Sequence, residues 1–168
     1  MDLPGELRNQ IYAYIIYPDL PSLMIANCAR PEHLAASVLH LPLFRICRQV
    51  RAEALSYLCA NIPLRILGLQ TANVFFSCVG SAVSNVKSLV LVQAAMGIQG
   101  SKESGERVDK FFRALDMMHE LAEMKLEGVG EMLNLEKGRE HAEFVRRVEA
   151  MRERGITVHI RSASRLGR

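Results

Sequence analysis

The chain has 168 residues and a mass of 18.8 kDa, the size of one ordinary domain or one domain with a short extra module. With 49% hydrophobic and 23% charged residues, it lies near the globular average, which excludes wholesale disorder. Its net charge of +3 is a property of the tail: Arg161, Arg165 and Arg168 stand in an acid-free stretch, while residues 1–160 carry 18 basic and 18 acidic groups, so the body lacks the broad basic surface of a nucleic-acid binder.

The first predicted helix opens at Pro4, a residue suited to the first helical position because its missing N–H would be unpaired there anyway. Glu6 then falls in the first turn, where the helix dipole favours it. Leu3, Leu7, Ile11, Tyr14 and Ile15 form one stripe. Ile11 to Tyr17 (IYAYIIY) holds no charged or amide residue, so over about two turns this helix is apolar all round and must bury more than one face. Pro18 and Pro21 end it. Ser22 to Ala29 contains a short candidate strand, SLMIA. A helix over 42–60 is expected from Pro42 and the stripe Leu43, Ile46, Cys47, Val50, Ala54, Tyr57 and Leu58, with Arg45, Arg48, Gln49, Arg51 and Glu53 on its other side.

From residue 62 strands and helices alternate. Leu64–Leu69 reads as a strand, and Thr71 as an N-cap for a helix bearing Val74, Phe75, Cys78, Val79, Ala82 and Val83. Val86–Val92 is nearly continuously apolar, the pattern of a strand covered on both faces. Residues 93–105 form a Gly- and Ser-containing loop. Glu106–Leu121 is an amphipathic helix with Val108, Phe111, Phe112, Leu115, Met118 and Ala122 on one side. Glu123–Glu127 alternates strictly, Met124 and Leu126 inward and Glu123, Lys125 and Glu127 outward. A helix over 138–154 carries His141, Phe144, Val145, Val148 and Met151 as its stripe. Its Glu/Arg mixture reads as a solvated face with some ion pairs. Gly155 stands where a left-handed C-cap belongs, and Ile156, Val158 and Ile160 alternate as a last strand.

Alternating strands and helices imply parallel pairing with crossover helices. The expected fold is α/β (α+β over the whole chain): a helical N-terminal part, residues 1–61, an alternating unit with a small parallel sheet, residues 62–160, and a basic tail, residues 161–168. The strand spacing is too irregular for a strict repeat. It fits either a degenerate leucine-rich-repeat-like stack, with LAEMKLEG (residues 121–128) as a strand signature, or a small open parallel sheet.

Residues for catalysis are not legible. Cys28, Cys47, Cys59 and Cys78 form no CxxC pair and fit no zinc spacing; each lies in an apolar neighbourhood, as free structural cysteine does. His33, His40, His119, His141 and His159 form no HExxH and no i, i+4 pair, and His119 and His141 read as core-edge residues. There is no GxSxG. Gly97-Ile98-Gln99-Gly100-Ser101-Lys102 lies between a strand and a helix, where phosphate loops lie, but lacks the GK[ST] order. No catalytic residue, cofactor or metal is expected. No secretory signal and no apolar run near ~18 residues is present, so the expectation is an intracellular protein, cytoplasmic or nuclear, without membrane or nucleic-acid partners. The tail, with its Arg161-x-x-Ser164 kinase-like pattern, reads as a frayed terminus.

Two segments carry a resemblance. Leu3-Pro4-Gly5-Glu6-Leu7-Arg8-Asn9-Gln10-Ile11-Tyr12 resembles the LPxELRxxIY opening of a large group of filamentous-fungal F-box-like proteins, and Ile46-Cys47-Arg48-Gln49-Val50-Arg51-Ala52-Glu53-Ala54 resembles that group's second, basic segment, with Tyr57 and Asn61 after it. Leu3 and Cys47 are 44 positions apart, a longer interval than in ordinary F-boxes, and Pro18, Pro21 and Pro31 replace the usual middle helix. The resemblance implies a non-catalytic substrate adaptor of a cullin-type ubiquitin ligase, with a Skp-type adaptor and an unidentified protein substrate as partners. The alternatives are an orphan interaction protein without a ubiquitin role, and a small nucleotide- or phosphate-binding enzyme using the 93–105 loop. The candidate protein-binding residues are Leu3, Pro4, Leu7, Ile11, Tyr12 and Ile16. For the first four, packing on the 42–60 helix competes with partner contact; Tyr12 and Ile16, off the main stripe, are the expected interface residues. Arg48 and Arg51 lie on a solvated face or pair internally with Glu6 or Glu53.

Overall fold

The computed structural model describes residues 3–92, 102–128 and 139–161. In chain order these form α1 (Gly5–Ile15), β1 (Leu23–Ile25), α2 (Pro31–Ser37), a 3₁₀ turn (Pro42–Arg45), α3 (Arg48–Asn61), β2 (Leu64–Leu67), α4 (Leu69–Val79), a second 3₁₀ turn (Gly80–Asn85), β3 (Ser88–Val92), α5 (Lys102–Asp116), β4 (Glu123–Glu127), α6 (Arg139–Glu153) and β5 (Thr157–Arg161). The architecture is α/β, as the alternating pattern predicts.

The five strands make one parallel sheet in the order β1-β2-β3-β4-β5. Strand order equals chain order, and crossovers between parallel strands are right-handed. Each crossover therefore returns on the same side, so the described crossover helices, α2 to α6, lie against one face. The register shows the result. Leu23, Leu64, Leu89, Met124 and Val158 form one cross-strand row, and Ile25, Ile66, Leu91 and Leu126 another; all are buried. Behind them the helices pack edge to edge. A chain of ring contacts passes from Phe76 of α4 to Phe111 of α5 (6.0 Å) and from Phe112 to Phe144 of α6 (5.3 Å), distances at which tilted and T-shaped pairs are favourable.

Several expected boundaries change. The 62 boundary does not divide the core, because β1 pairs with β2 and the buried residues form one continuous cluster from Tyr12 to Val158. The stretch holding Pro31 is not helix-free: Pro31 starts α2 at its first position, where it is well tolerated. The single helix over 42–60 is two pieces, because Cys47 is extended and caps α3, its Sγ accepting the Val50 N–H at 3.5 Å; Ile46 and Cys47 are consequently exposed. Thr71 is not an N-cap but lies buried in the first turn of α4, which begins at Leu69. Val86–Val92 is shorter than expected and covered on one face, with alternate residues of β3 buried. His119 is exposed in the turn after α5, and Val145 is partly exposed. The Gly155 expectation holds, with φ +85° directly after α6.

Gly68 joins β2 to α4 in a single residue at φ +85°, its N–H donating to the Val92 carbonyl at 2.8 Å. A Cβ there meets no atom within 4 Å, so strain is isolated from crowding. Gly68→Ala is expected to lower stability by about 1–3 kcal/mol, measured by urea denaturation with an unchanged m-value.

Candidate functional site

α1 contains two kinds of apolar surface. On one side Tyr12 and Ile16 are buried in the core, with Tyr12 against α3. Glu53 of α3 organises this contact. Its Oε2 accepts the Tyr12 hydroxyl at 2.8 Å and Arg8 Nε at 2.8 Å, and its Oε1 accepts Gln49 Nε2 at 3.0 Å. Arg8 also reaches back to the Leu3 carbonyl, and the Tyr12 ring lies 6.1 Å from that of Tyr57. These donors hold the Glu53 carboxyl below its ordinary value, the Gln49 amide contributing most, then the Tyr12 hydroxyl. Burial, with the Glu53 hydrogen bond and charge behind it, pushes the Tyr12 phenol up to about 12. After the helix, Tyr17 adopts φ +49° before Pro18, a position where proline disfavours helical backbone. The Tyr17 hydroxyl donates to the Val38 carbonyl at 2.5 Å, tying the end of α1 to α2.

The other side of α1 faces out. Leu3, Leu7, Ile11 and Ile15 recur at every fourth position and are each 40–45% exposed, with Tyr14 beside them at 82%; Pro4 is exposed at the helix start. The structure thus corrects the expected division of labour. Tyr12 and Ile16, expected at an interface, belong to the chain's own core. The main stripe, for which internal packing was the competing expectation, is turned outward. The polar anchors lie on the buried side: Arg8 and Tyr12 both donate to Glu53 from it. Arg51 donates to the Phe44 carbonyl at 3.4 Å, while Arg48 is exposed.

The second open surface is the sheet face away from the helices. Met24, Arg65, Val90, Lys125 and His159 form one register row, and Leu67, Val92, Glu127 and Arg161 the next; none of these residues is fully buried. The face grades from apolar to charged. Met24, Leu67, Val90 and Val92 occupy β1–β3, whereas β4 and β5 carry an ionic ladder. Arg65 bridges over β3 to Glu127 at 2.6 Å, and Glu123 takes Lys125 at 2.9 Å with His159 at 3.7 Å. Lys125, then the His159 charge, holds the Glu123 carboxyl below its usual range. The alternation in 123–127 announced the outward Glu and Lys residues, but the apolar composition of 86–92 concealed that Val90 and Val92 share this uncovered face.

Burial pushes the Cys59 thiol up to about 12 and also raises Cys78, which keeps both protonated and poorly nucleophilic. No three His, Cys, Asp or Glu side chains converge on a metal position among the described residues, and no described helix is long and apolar enough to cross a membrane. The 97–102 loop falls outside the described residues except for Lys102, where the α5 backbone begins, and the 162–168 tail and the His141 side chain also lie outside them. No protein-family model, curated protein or solved structure matches the chain.

The Glu53 cluster has a pH signature. A phenol whose folded pKa is raised from 10 to about 12 binds its proton more tightly in the folded state. Its contribution is therefore complete below pH 10 and is lost as pH rises toward 12. Glu53, held low, contributes above its ordinary value of 4.5 and loses that contribution as pH falls below it. Tyr12→Phe is expected to cost about 1–3 kcal/mol at neutral pH, as for a hydrogen bond to a charged group. It should also remove part of the alkaline loss of stability, as read by denaturant midpoints at several pH values.

Proposed function

We propose that this chain is a non-catalytic protein-interaction module that docks through the outward stripe of α1. The observation that carries the reading is the exposure of Leu7, Ile11 and Ile15 along a helix whose other side is already anchored, with Leu3 exposed just before its start. A helix presenting anchors at i, i+4 and i+8 fits an apolar groove on a partner, and the anchoring means that docking does not have to order the helix first. Leu3, Pro4, Leu7 and Ile11 are also the residues of the LPxELRxxIY segment, so the partner that the resemblance favours is a Skp-type adaptor of a cullin ubiquitin ligase. In that arrangement the uncovered sheet face, graded from apolar to ionic, would select a protein substrate. The burial of Tyr12 and Ile16 favours a second reading, in which half of the F-box-like motif is core and the module acts outside ubiquitin chemistry.

Because α1 belongs to the core, deletion of residues 1–17 would test folding rather than docking, and surface charges are the better probe. Full-length protein is expected to retain a Skp-type adaptor in a pull-down. Leu7→Glu with Ile11→Glu should abolish retention while changing stability by only about 0.5 kcal/mol per exposed site. A folded parent chain that retains no adaptor would remove the ubiquitin reading; retention by the double variant would remove α1 as the contact.

A further inference from the structure

Gly5, Arg8, Asn9 and Tyr12 share one side of α1. At Tyr12 that side is buried. Towards the start of the helix Gly5, Arg8 and Asn9 instead border an open groove of about 1060 Å3, just above the ~300–1,000 Å3 of small-ligand sites. The floor is the outer face of α3, where Ala52, Ser56 and Ala60 recur at every fourth position, and the opposite wall is the 3₁₀ turn Gly80–Asn85. The floor runs from Arg48 to Asn61, about 20 Å of helix, which is the reach of about six residues of extended chain.

Charge is uneven along this groove. Its ionic side chains are Arg8, Arg48, Arg51 and Glu53. The one carboxylate is spent inside the protein, on Arg8, Tyr12 and Gln49. Arg51 donates to a neutral group, the Phe44 carbonyl, at 3.4 Å, and Arg48 is exposed three positions before it on the same helix face. Among the described residues no carboxylate pairs with either arginine. The far end is neutral and hydrogen-bonding, formed by Asn61, Ser81, Ser84 and Asn85. Asn85 Nδ2 donates to the Ser56 hydroxyl at 2.7 Å, and Asn61 Nδ2 to the Tyr57 carbonyl at 2.9 Å. These bonds orient both amides and leave each a carbonyl oxygen and a second N–H.

We propose that the groove binds an extended, acidic segment of a partner protein. Two carboxylates meet Arg48 and Arg51, and the neighbouring backbone lies against the amides and hydroxyls of the neutral end. A helix would leave that end unused, because its backbone groups are bonded within itself. An extended chain brings free N–H and C=O groups, which a side-chain amide matches in both senses. The small side chains of Ala52 and Ala60 let such a backbone approach α3, and the uncompensated arginines set the sign of the partner. The groove uses the side of α1 away from Leu7 and Ile11, so the site stands or falls independently of the proposed docking function.

The probes are two fluorescein-labelled heptapeptides of Ala, Ser and Gly with a pair of aspartates at the first or the last two positions, since the groove admits either chain direction. Each is titrated with full-length protein by fluorescence anisotropy at constant ionic strength, beside the same peptide with asparagines for the aspartates. Saturable one-to-one binding of an aspartate peptide is expected, about tenfold or more tighter than its asparagine counterpart. Arg48→Gln with Arg51→Gln should weaken it about tenfold, whereas Lys110→Gln with Arg113→Gln, an equal loss of charge on α5, should leave it unchanged. Ala52→Glu places an internal carboxylate one turn from Arg48; it should weaken binding by about the same factor with the melting temperature level, a loss that unfolding does not produce. Amide shift changes in the parent chain should gather on residues 48–61 and 80–85, a measurement that depends on no variant. Absence of saturable binding of either aspartate peptide at millimolar concentration, equal affinity for the asparagine peptides, full binding by the Arg48/Arg51 variant or by Ala52→Glu, or shift changes lying outside the groove would each overturn the proposal.

Discussion

The two unlike sides of the sheet follow from one topological constraint. Parallel strands added in chain order, each joined by a right-handed crossover, force all the intervening helices onto a single side of the sheet. A doubly wound sheet avoids this by reversing its strand order part-way, which sends helices to both faces. Here there is no reversal, so the molecule has two unlike sides. One is a row of helices whose aromatic contacts pass from α4 through α5 to α6. On the other, no described helix covers the sheet, and Arg65, Glu123, Lys125, Glu127 and His159 pair with one another across its partly exposed surface. Parallel sheets are ordinarily buried on both faces; here the paired charges of β2, β4 and β5 give part of the second face a polar surface suited to water.

The N-terminal helix is placed by a different principle. Its C-terminal half is apolar on every side, so hydrophobic burial alone gives no unique rotation about its axis. Hydrogen bonding does. Glu53 is a carboxylate at a helix–helix contact and needs donors, and Arg8 and Tyr12 supply them from one face of α1. Once that face is committed, Leu3, Leu7, Ile11 and Ile15 necessarily point away. A small polar cluster thus decides which apolar residues become core and which become a docking stripe.

Charge follows the same local logic. The chain's formal excess lies in its last eight residues, and the body is neutral, yet neutrality is not uniform over the surface. The packing of α1 on α3 spends Glu53 on Arg8 and leaves Arg48 and Arg51 at one end of a groove, while the ladder on β4 and β5 keeps its acids close to its bases. Sequence totals cannot register such a separation, because Arg8 and Glu53 are 45 positions apart in the chain and meet only when the two helices pack.

The sequence by itself determined the element order, because period and punctuation are local properties. The strict alternation of 123–127, the amphipathic stripe of Phe111, Phe112, Leu115 and Met118, and Gly155 after α6 are all legible from spacing alone, and together they imply a parallel α/β fold. It left open what depends on partners distant in the chain. Whether Val90 and Val92 are covered turns on the side to which each crossover returns. Whether α3 begins at Pro42 or after Cys47 turns on the cap that Cys47 makes with Val50. Which face of α1 is buried turns on Glu53, 41 residues beyond Tyr12. Only the tertiary structure decided these, because an apolar residue in a strand or helix records that it can be buried, while the satisfaction of a few polar groups and the hand of the connections select which ones are.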